Sequence, residues 1–225
     1  MKTQFDNLSK QYASKPDRYY ELAREEMLPF VPESCRSMLE VGCSSGAFGE
    51  LVKKQRPGCT VWGIEPDEQS AQVAATRLDH VINGEFSVET PALQGQQFDV
   101  ICFNDVLEHL ANPESTLTDC KQLMAPQGVV VASLPNILFF YQITKILIEQ
   151  DWRYEESGIM DNTHLRFFTK KSIRRMFESA GYQVEEIVGL NPSYGLKYTI
   201  ANILLLGNLA DWKFVQFAVR SRLAS

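Results

Sequence analysis

The sequence lacks several features that would assign it to a specialised class of protein. Its five cysteines are odd in number and form no C-x-x-C pair, so neither a disulfide framework nor a cysteine-based zinc site is indicated. No apolar stretch reaches the roughly 20 residues that a membrane-spanning helix needs. The 22 Lys and Arg residues are outnumbered by 28 Asp and Glu residues, which argues against a general nucleic-acid-binding protein.

The beginning of the chain also lacks a targeting pattern. Residues 1–6 are Met-Lys-Thr-Gln-Phe-Asp and contain no basic region followed by an apolar run. We therefore expect no secretory signal, no integral membrane segment and a cytoplasmic location. With 225 residues, of which 44% are hydrophobic, the chain can bury a large core as a single domain over residues 1–225.

The most informative feature that is present is a turn rich in glycine. The short run 38–41 leads into the turn 42–46, and an amphipathic run with Phe48, Leu51 and Val52 follows. This order predicts a strand, a tight loop and the beginning of a helix. Glycine lets a ligand approach the backbone closely, and a helix N-terminus adds N–H donors and the positive end of a dipole. Nucleotide-like cofactors bind at such places.

Strand and helix patterns alternate along the chain, which predicts an α/β protein with a mostly parallel sheet and helices on both faces. Two strand patterns follow the last long helix, so we expect one antiparallel strand beside the parallel ones. The predicted strands are 37–41, 60–64, 80–82, 98–103, 128–134, 182–189 and 213–220. The predicted helices are 17–30, 46–55, 67–78, 105–124 with a break near Pro113, and 170–180, with Gly181 as the stop signal.

Two segments do not fit this alternation and are predicted to form a small helical cap. Residues 135–168 are an insertion before the last long helix, and residues 191–212 separate the last two strands. Both contain unusually apolar runs, at 137–148 and 200–206. These runs either pack on each other or, if they are exposed, mark a homodimer face or a contact with a lipid carrier.

An acidic residue follows the second predicted strand. Glu65 lies 23 residues after Gly42, and in an open α/β sheet a carboxylate about 20 residues past the glycine loop reaches ribose hydroxyls. The alternative is a solvated glutamate at a strand end. The glycines at 42, 46 and 49 do not match the G-x-G-x-x-G dinucleotide pattern, and Ser44 obstructs the close approach of a pyrophosphate. A ligand without a pyrophosphate fits better.

Four sequence segments follow one another at plausible spacing. They are Glu-Val-Gly-Cys-Ser-Ser-Gly at 40–46, Gly-Ile-Glu-Pro at 63–66, Phe-Asp-Val-Ile at 98–101 with Asn-Asp-Val-Leu-Glu-His-Leu at 104–110, and Ser-Leu-Pro-Asn at 133–136. In this order they resemble the motifs of class I S-adenosylmethionine-dependent methyltransferases of the D-x-L-E-H branch, and the resemblance extends from about residue 18 to residue 220. It implies a Rossmann-like sheet of seven strands with the last strand reversed.

The resemblance also implies which residues bind the cofactor, S-adenosylmethionine. The loop would wrap the methionine part, Glu65 would hold the ribose, and residues after the third strand would flank the adenine, where this chain has Glu85 and the family often has Asp. Tyr19, Tyr20 and Arg24 either close over the cofactor or belong to an ordinary amphipathic helix. The implied cofactor-binding residues are Glu40, Gly42, Cys43, Ser44, Gly46, Glu65, Pro66, Glu85, Phe86, Asn104 and Asp105.

A polar segment after the first cap insertion supplies the predicted catalytic residues, His164 and Asp161. Residues 161–169 resemble the D-x-T-H-x-R-x-F-[ST] segment of methyltransferases linked to sugar, glycan or lipopolysaccharide modification. An unperturbed histidine side chain titrates near neutral pH, and His164 is the predicted general base for an oxygen nucleophile. The alternative is a buried polar network in which Asp161, His164 and Arg166 hold the cap in place. Thr169 is expected to cap the next helix.

The stretch 105–110 has a structural interpretation of its own. Asp105 and Glu108 have the spacing of a capping box, which predicts that a helix begins there. His109 is then a packing or hydrogen-bonding residue. No metal is expected, because the methyl group of a sulfonium is already activated.

These observations predict a methyl transfer from S-adenosylmethionine to an oxygen of a small-molecule or sugar/glycan acceptor. The first alternative is a nicotinamide-dependent oxidoreductase, which shares the sheet and the acidic residue after the second strand. The second is a non-catalytic protein that binds S-adenosylmethionine and retains the fold. No nucleic-acid partner is expected.

Overall fold

A mixed β-sheet of seven strands forms the centre of the molecule. The structure is a computed structural model that describes residues 23–224. The strands are β1 (Ser37–Val41), β2 (Thr60–Glu65), β3 (His80–Asn83), β4 (Phe98–Asn104), β5 (Met124–Pro135), β6 (Tyr182–Pro192) and β7 (Phe214–Leu223).

The pairing of these strands confirms the predicted fold class. β1 pairs in parallel with β2 and β4, and parallel pairing continues to β3 on one side and to β5 on the other. β7 runs antiparallel to both β5 and β6. The order across the sheet is therefore β3-β2-β1-β4-β5-β7-β6, a Rossmann-like arrangement in which the carboxyl ends of β1 to β5 share one edge. In such sheets ligands bind outside that edge.

Helices lie in the connections between the strands and pack around the sheet. They are α1 (Ala47–Gln55), α2 (Glu68–Ala74), α3 (Pro113–Cys120), α4 (Phe140–Glu149), α5 (Lys170–Ser179) and α6 (Leu196–Leu204). Short 3-10 helices occur at Glu25–Phe30, Pro91–Leu93, Leu107–His109, Lys121–Leu123 and Ala210–Lys213.

β4 shows how the core is divided between the two faces of the sheet. Val100 and Cys102 belong to the buried cluster on one face, and Ile101 and Phe103 belong to the cluster on the other. All four side chains are fully buried. A central parallel strand buries both faces and is therefore apolar without alternation, which explains the pattern in the sequence.

The predicted helix over 105–124 is wrong in its first part. α3 begins only at Pro113, and the Asn112 side chain caps it by accepting from the Ser115 N–H at 3.2 Å. Proline favours the first position of a helix because it has no N–H to donate to a preceding turn. Upstream of it, Asp105 has a left-handed φ of 55° and only one 3-10 turn follows, so the capping box expected at Asp105 and Glu108 does not form.

The predicted helix over 17–30 is also corrected where the structure describes it. Glu25–Phe30 forms a 3-10 helix that contains Pro29, rather than an α-helix. Residues 17–22, with Tyr19 and Tyr20, lie outside the described residues.

Both predicted ends of α5 are confirmed. The Thr169 hydroxyl accepts from the Ser172 N–H at 3.2 Å, and the Ser172 hydroxyl accepts from the Thr169 N–H at 2.8 Å, which makes a capping box. Gly181 follows the helix with a positive φ of 84°. Because Thr169 begins α5, the polar segment just before it is held in a fixed position.

α4 and α6 pack on each other through a small cluster of their own. Phe140, Tyr198 and Leu209 are buried there, with the ring centroids of Phe140 and Tyr198 5.6 Å apart. The outer faces of the two segments remain exposed and form what we call the apolar helix surface. It consists of Leu147 (65% exposed), Ile148 (80%), Ile203 (68%), Leu204 (75%) and Leu206 (91%). Among residues 23–224, no helix is long and apolar enough to cross a membrane.

Candidate functional site

The turn 42–46 is held by backbone hydrogen bonds to β2. The N–H groups of Gly42 and Cys43 both donate to the Ile64 carbonyl oxygen, at 2.8 and 3.1 Å. Gly42, Ser44 and Gly46 have positive φ values of 69°, 50° and 76°. Glycine adopts this conformation without a steric penalty, which explains two of the three residues. α1 begins directly after Gly46, so the predicted strand, turn and helix are all present.

Close packing around the turn also requires glycine. A Cβ atom on Gly42 would lie 2.6 Å from Val106 Cγ2, and one on Gly63 would lie 2.5 Å from Cys43 Sγ. Both distances are well below van der Waals contact. The turn is therefore pressed directly against β2 and against the segment that follows β4.

Glu65, at the end of β2, forms hydrogen bonds both to the turn and to the residue that caps the next helix. Its Oε2 accepts from the Ser44 N–H at 2.8 Å, and its Oε1 accepts from the Asp67 N–H at 2.9 Å. The residue is only 8% exposed, and burial raises the pKa of the Glu65 carboxyl. It is therefore not a solvated glutamate at a strand end. An ionised carboxylate offers about four acceptor positions, so acceptor capacity remains for hydroxyl groups.

Glu40 lies beneath the turn rather than at its surface. The residue is 3% exposed, and its Oε2 accepts from the Gly49 N–H in the first part of α1 at 3.1 Å. Burial raises the pKa of Glu40 to about 8, while the hydrogen bond from the Gly49 N–H and the nearby Asn104 amide act in the opposite direction. Glu40 thus supports the start of α1, and Asn104, the last residue of β4, lies against it.

Asp105 lies at the centre of a polar network that joins distant parts of the chain. Its N–H donates to Ser133 Oγ at 3.1 Å, and its Oδ1 accepts from Gln216 Nε2 at 3.1 Å. Arg24 forms an ion pair with the Asp105 carboxylate and donates to Ser133 Oγ at 3.0 Å and to Gln216 Oε1 at 3.1 Å. The left-handed backbone of Asp105 is unusual for a residue other than glycine and is held by these contacts.

The remaining predicted cofactor residues follow β2 and β3. Pro66 and Glu85 are exposed. Phe86 is half-buried and contacts Phe103 edge to face, with ring centroids 6.3 Å apart. They lie beyond the same edge of the sheet as Glu65, where the family resemblance expects the adenine.

A second polar cluster brings the end of β4 together with the segment 159–168. The N–H groups of Leu165 and Arg166 donate to the Glu108 carbonyl oxygen at 2.9 and 3.0 Å. The imidazole rings of His109 and His164 lie edge to face with centroids 4.7 Å apart. His164 Nε2 is 4.0 Å from Glu108 Oε1. His164 is 6% exposed and Glu108 is fully buried.

Asp161 organises the same segment. Its Oδ1 accepts from the Thr163 N–H at 2.9 Å and from the Thr163 hydroxyl at 2.6 Å, and its carbonyl oxygen accepts from the His164 N–H at 3.0 Å. Arg166 instead extends outward and donates to the Ala111 carbonyl oxygen. The predicted buried polar network therefore exists for Asp161 and His164, and it includes Glu108 and His109.

Sequence reasoning missed two parts of this edge. The sequence analysis assigns Glu108 to a helix cap and His109 to packing or hydrogen bonding. An adjacent Glu-His pair, together with a histidine elsewhere in the chain, is nevertheless a recognisable signal of a polar cluster. The sequence does not single out Gln216, which lies in the largely apolar strand β7. Only the antiparallel pairing of β7 with β5 brings it next to Ser133 and Asp105.

The turn fits the cofactor that the resemblance implies. Among the described residues, the buried Ser44 Oγ has no hydrogen-bond partner. A polar atom of this kind calls for a partner from a ligand or from water. Together with the glycine backbone and the Glu65 carboxylate, it forms a cradle suited to a polar nucleoside without a pyrophosphate.

Comparison with known proteins agrees with this geometry. A family model described as a methyltransferase domain matches residues 11–187, well over half of the chain. A ubiquinone biosynthesis O-methyltransferase from Aromatoleum aromaticum is 26% identical over 193 residues, which cover 81% of this chain and 77% of that protein. Another from Salmonella paratyphi A is 35% identical over 106 residues, so this chain spans only 43% of its length.

Solved structures share the fold at low sequence identity. A SAM-dependent methyltransferase from Archaeoglobus fulgidus superposes with a TM-score of 0.67 at 17% identity, covering 96% of this chain and 99% of that chain. The plantazolicin methyltransferase BpumL, solved in complex with SAH (S-adenosylhomocysteine), gives a TM-score of 0.59 at 15% identity and covers 100% of this chain and 89% of that chain.

The family match favours methyl transfer over the nicotinamide-dependent and the non-catalytic alternatives. The donor is S-adenosylmethionine. The chain belongs to the methyltransferase-domain family and is an S-adenosylmethionine-dependent methyltransferase.

Proposed function

We propose that this enzyme transfers the methyl group to an oxygen of a small-molecule acceptor, with sugars and glycans included in that class. The observation that carries the proposal is the placement of two features at one edge of the sheet. The turn 42–46 with Glu65 forms the proposed cofactor cradle, and His164 packs against His109 just after the end of β4, the strand next to β1.

S-adenosylmethionine supplies a methyl group that is activated by its sulfonium sulfur. The task left to the chain is to hold donor and acceptor in line, and such positioning can provide a large part of the rate enhancement. We assign the ribose hydroxyls to Glu65 and the methionine part to the backbone of Gly42, Cys43, Ser44 and Gly46. Pro66, Glu85 and Phe86 border the adenine, and Asn104 and Asp105 line the other side, with Glu40 supporting the turn from below.

An oxygen acceptor requires a group that removes its proton, and His164 is suited to that role. His164 Nδ1 lies 3.0 Å from the Ile159 carbonyl oxygen, which can only accept a hydrogen bond. Nδ1 therefore carries a proton, and Nε2 is the nitrogen that we assign as the base. Asp161 shapes the turn that presents this ring, so we assign it as a positioning residue.

The acceptor class is supported by the relatives, which are O-methyltransferases of ubiquinone biosynthesis. The segment 161–169 favours a sugar or glycan, as the resemblance noted above implies. Both classes offer a hydroxyl group. Carboxyl and nitrogen acceptors are the competing possibilities.

We further propose that segments 135–168 and 191–212 form the cap of a single domain and that their apolar helix surface receives the apolar tail or lipid carrier of the acceptor. Exposed apolar area of this extent on neighbouring helices marks a contact surface. Lys197 on α6 is exposed and would suit the anionic groups of a lipid surface. A homodimer through the same face is the competing occupant.

The test of the acceptor is an assay of the full chain with S-adenosylmethionine and a panel of phenols, sugars and lipid-linked sugars. Each is matched with an amine and a carboxylic acid of similar size. We expect release of S-adenosylhomocysteine and a methylated oxygen, identified by mass spectrometry. Methylation confined to the amine or acid members would contradict the oxygen assignment.

The test of the surface is the double variant Leu204→Ser/Leu206→Ser, compared with Val73→Ser, an exposed apolar residue on α2. We expect the double variant to lose flotation with anionic lipid vesicles and to lose turnover on lipid-linked acceptors only. A molar mass in solution that halves in the double variant would instead assign the surface to a homodimer and contradict the lipid contact.

A further inference from the structure

Three side chains with metal-ligating atoms converge beside the proposed acceptor site. Glu108 and His109 follow β4, and His164 comes from the segment before α5. One ligand atom from each of the three lies within 4.8 Å of the others. A cation with ligand bonds of about 2.0–2.2 Å could bind all three after small side-chain rotations.

Both imidazole rings are oriented with Nδ1 toward a backbone carbonyl. His109 Nδ1 lies 3.2 Å from the Thr163 carbonyl oxygen, and His164 Nδ1 lies 3.0 Å from the Ile159 carbonyl oxygen. Because a carbonyl can only accept, each Nδ1 carries a proton, so Nε2 is the ring nitrogen that would ligate a metal ion. A backbone carbonyl on the second nitrogen is the usual arrangement behind a ligating histidine.

An outer layer of hydrogen bonds fixes this arrangement. The Thr163 hydroxyl lies 3.1 Å from His109 Nδ1 and donates to the Asp161 carboxylate at 2.6 Å. The Glu108 backbone is tied to the same segment by the N–H groups of Leu165 and Arg166. The three side chains are therefore brought together by local structure from both sides rather than by chance contact.

We propose that Glu108, His109 and His164 bind one divalent transition-metal ion of the zinc or manganese type. Two imidazoles and one carboxylate form a donor set that such ions favour over magnesium, which prefers oxygen ligands. Three protein ligands leave coordination positions open for water or for an acceptor oxygen. In that role, which rests on the proposed function, the ion would position the acceptor hydroxyl and His164 would be a ligand instead of a base.

The direct test measures metal alone on the full chain. Chelator-treated protein is dialysed against Zn²⁺, Mn²⁺ or Mg²⁺, and the bound metal is counted by mass spectrometry of the elements. We expect about one Zn²⁺ or Mn²⁺ per chain. Glu108→Gln and His109→Gln should each weaken binding by at least about tenfold.

The chain offers a matched control, because it has only three histidines. His80 is exposed at the start of β3, where its ring stacks on Trp62 with centroids 4.1 Å apart. His80→Gln removes one imidazole away from the cluster and should bind metal like the wild type. Affinity for S-adenosylhomocysteine, measured on every variant, verifies that the fold and the cofactor cradle are intact.

The outcomes separate this proposal from the proposed function. A wild-type chain that binds S-adenosylhomocysteine but no metal, or Mg²⁺ in preference to Zn²⁺ and Mn²⁺, would overturn the metal site and leave methyl transfer to oxygen standing. Unchanged metal affinity in both Glu108→Gln and His109→Gln would also overturn it. Tight metal binding without any methylation of hydroxyl acceptors would contradict the proposed function alone.

Discussion

The backbone N–H of Ser44 donates to Glu65 Oε2 at 2.8 Å, which joins the turn after β1 to the end of β2. The second oxygen of the same carboxylate accepts from Asp67 at the cap of α2. One side chain therefore links the glycine turn, a strand end and a helix start. These are the places to which we assign the cofactor.

Replacing Glu65 by Ala should weaken the binding of S-adenosylhomocysteine by at least tenfold, or about 1.4 kcal/mol. The change removes the proposed ribose acceptor and leaves the N–H groups of Ser44 and Asp67 without their partner. Isothermal titration calorimetry measures the affinity. Glu68→Ala, an exposed glutamate on α2, is the control. Equal affinities in the two variants would refute the ribose assignment.

Gly42→Ala should destabilise the fold by about 1–3 kcal/mol, because alanine is strained at a positive φ and its Cβ would lie 2.6 Å from Val106 Cγ2. Urea unfolding measures the loss. Val106→Ala removes the steric contact but not the backbone strain. In the Val106→Ala background, Gly42→Ala should therefore destabilise the fold by less than it does in the wild type, but not by zero. A neutral Gly42→Ala would show that the turn can relax.

The stability of the ligand-free protein should fall as pH rises between 4.5 and 8. Burial raises the pKa of Glu40 from its ordinary 4.5 to about 8, so the folded state keeps a proton that the unfolded chain has already lost. The linked loss is at most about 1.4 kcal/mol per pH unit. Glu40→Gln cannot titrate, so its free energy of unfolding should change less over this range. Parallel pH profiles for the two proteins would rule out a titrating Glu40.

Arg24 and Asp105 should show a coupling energy of about 1–3 kcal/mol in a double-mutant cycle of stability. The side chains are only 14% and 20% exposed, and Arg24 also bonds Ser133 and Gln216, so its loss leaves several polar groups unsatisfied. Thermal or urea unfolding of the single and double Ala variants measures it. The exposed pair Lys54 and Glu50 on α1 should give a much smaller coupling. A similar value for both pairs would contradict the network.

The parts of the fold that follow from local patterns were predictable. β4 is apolar throughout because both its faces are covered, Thr169 and Gly181 mark the ends of α5 by their chemistry, and the turn 42–46 requires glycine at two positive φ values. Each of these signals lies within a few residues of the feature that it specifies. The mostly parallel sheet with one antiparallel strand followed from the alternation of strands and helices together with the family resemblance, whereas the order of its strands was not predicted.

What escaped prediction depends on contacts between distant residues. The stretch 105–112 has the composition of a helix, but Asp105 is held in a left-handed conformation by Arg24, Ser133 and Gln216, and Pro113 sets a later start. Glu108 and His109 acquire their setting only when the segment 159–168 folds against them. Neither effect leaves a periodic trace in the sequence.

Gln216 lies in the last strand of the sheet, 192 positions after Arg24, yet the two side chains are bonded to each other beside Asp105. A nascent chain that has been synthesised only as far as β6 therefore still lacks Gln216, one member of the polar network around Asp105. The antiparallel insertion of β7 between β5 and β6 is the event that completes it. Affinity for the donor should consequently arise only after β7 has been synthesised and inserted.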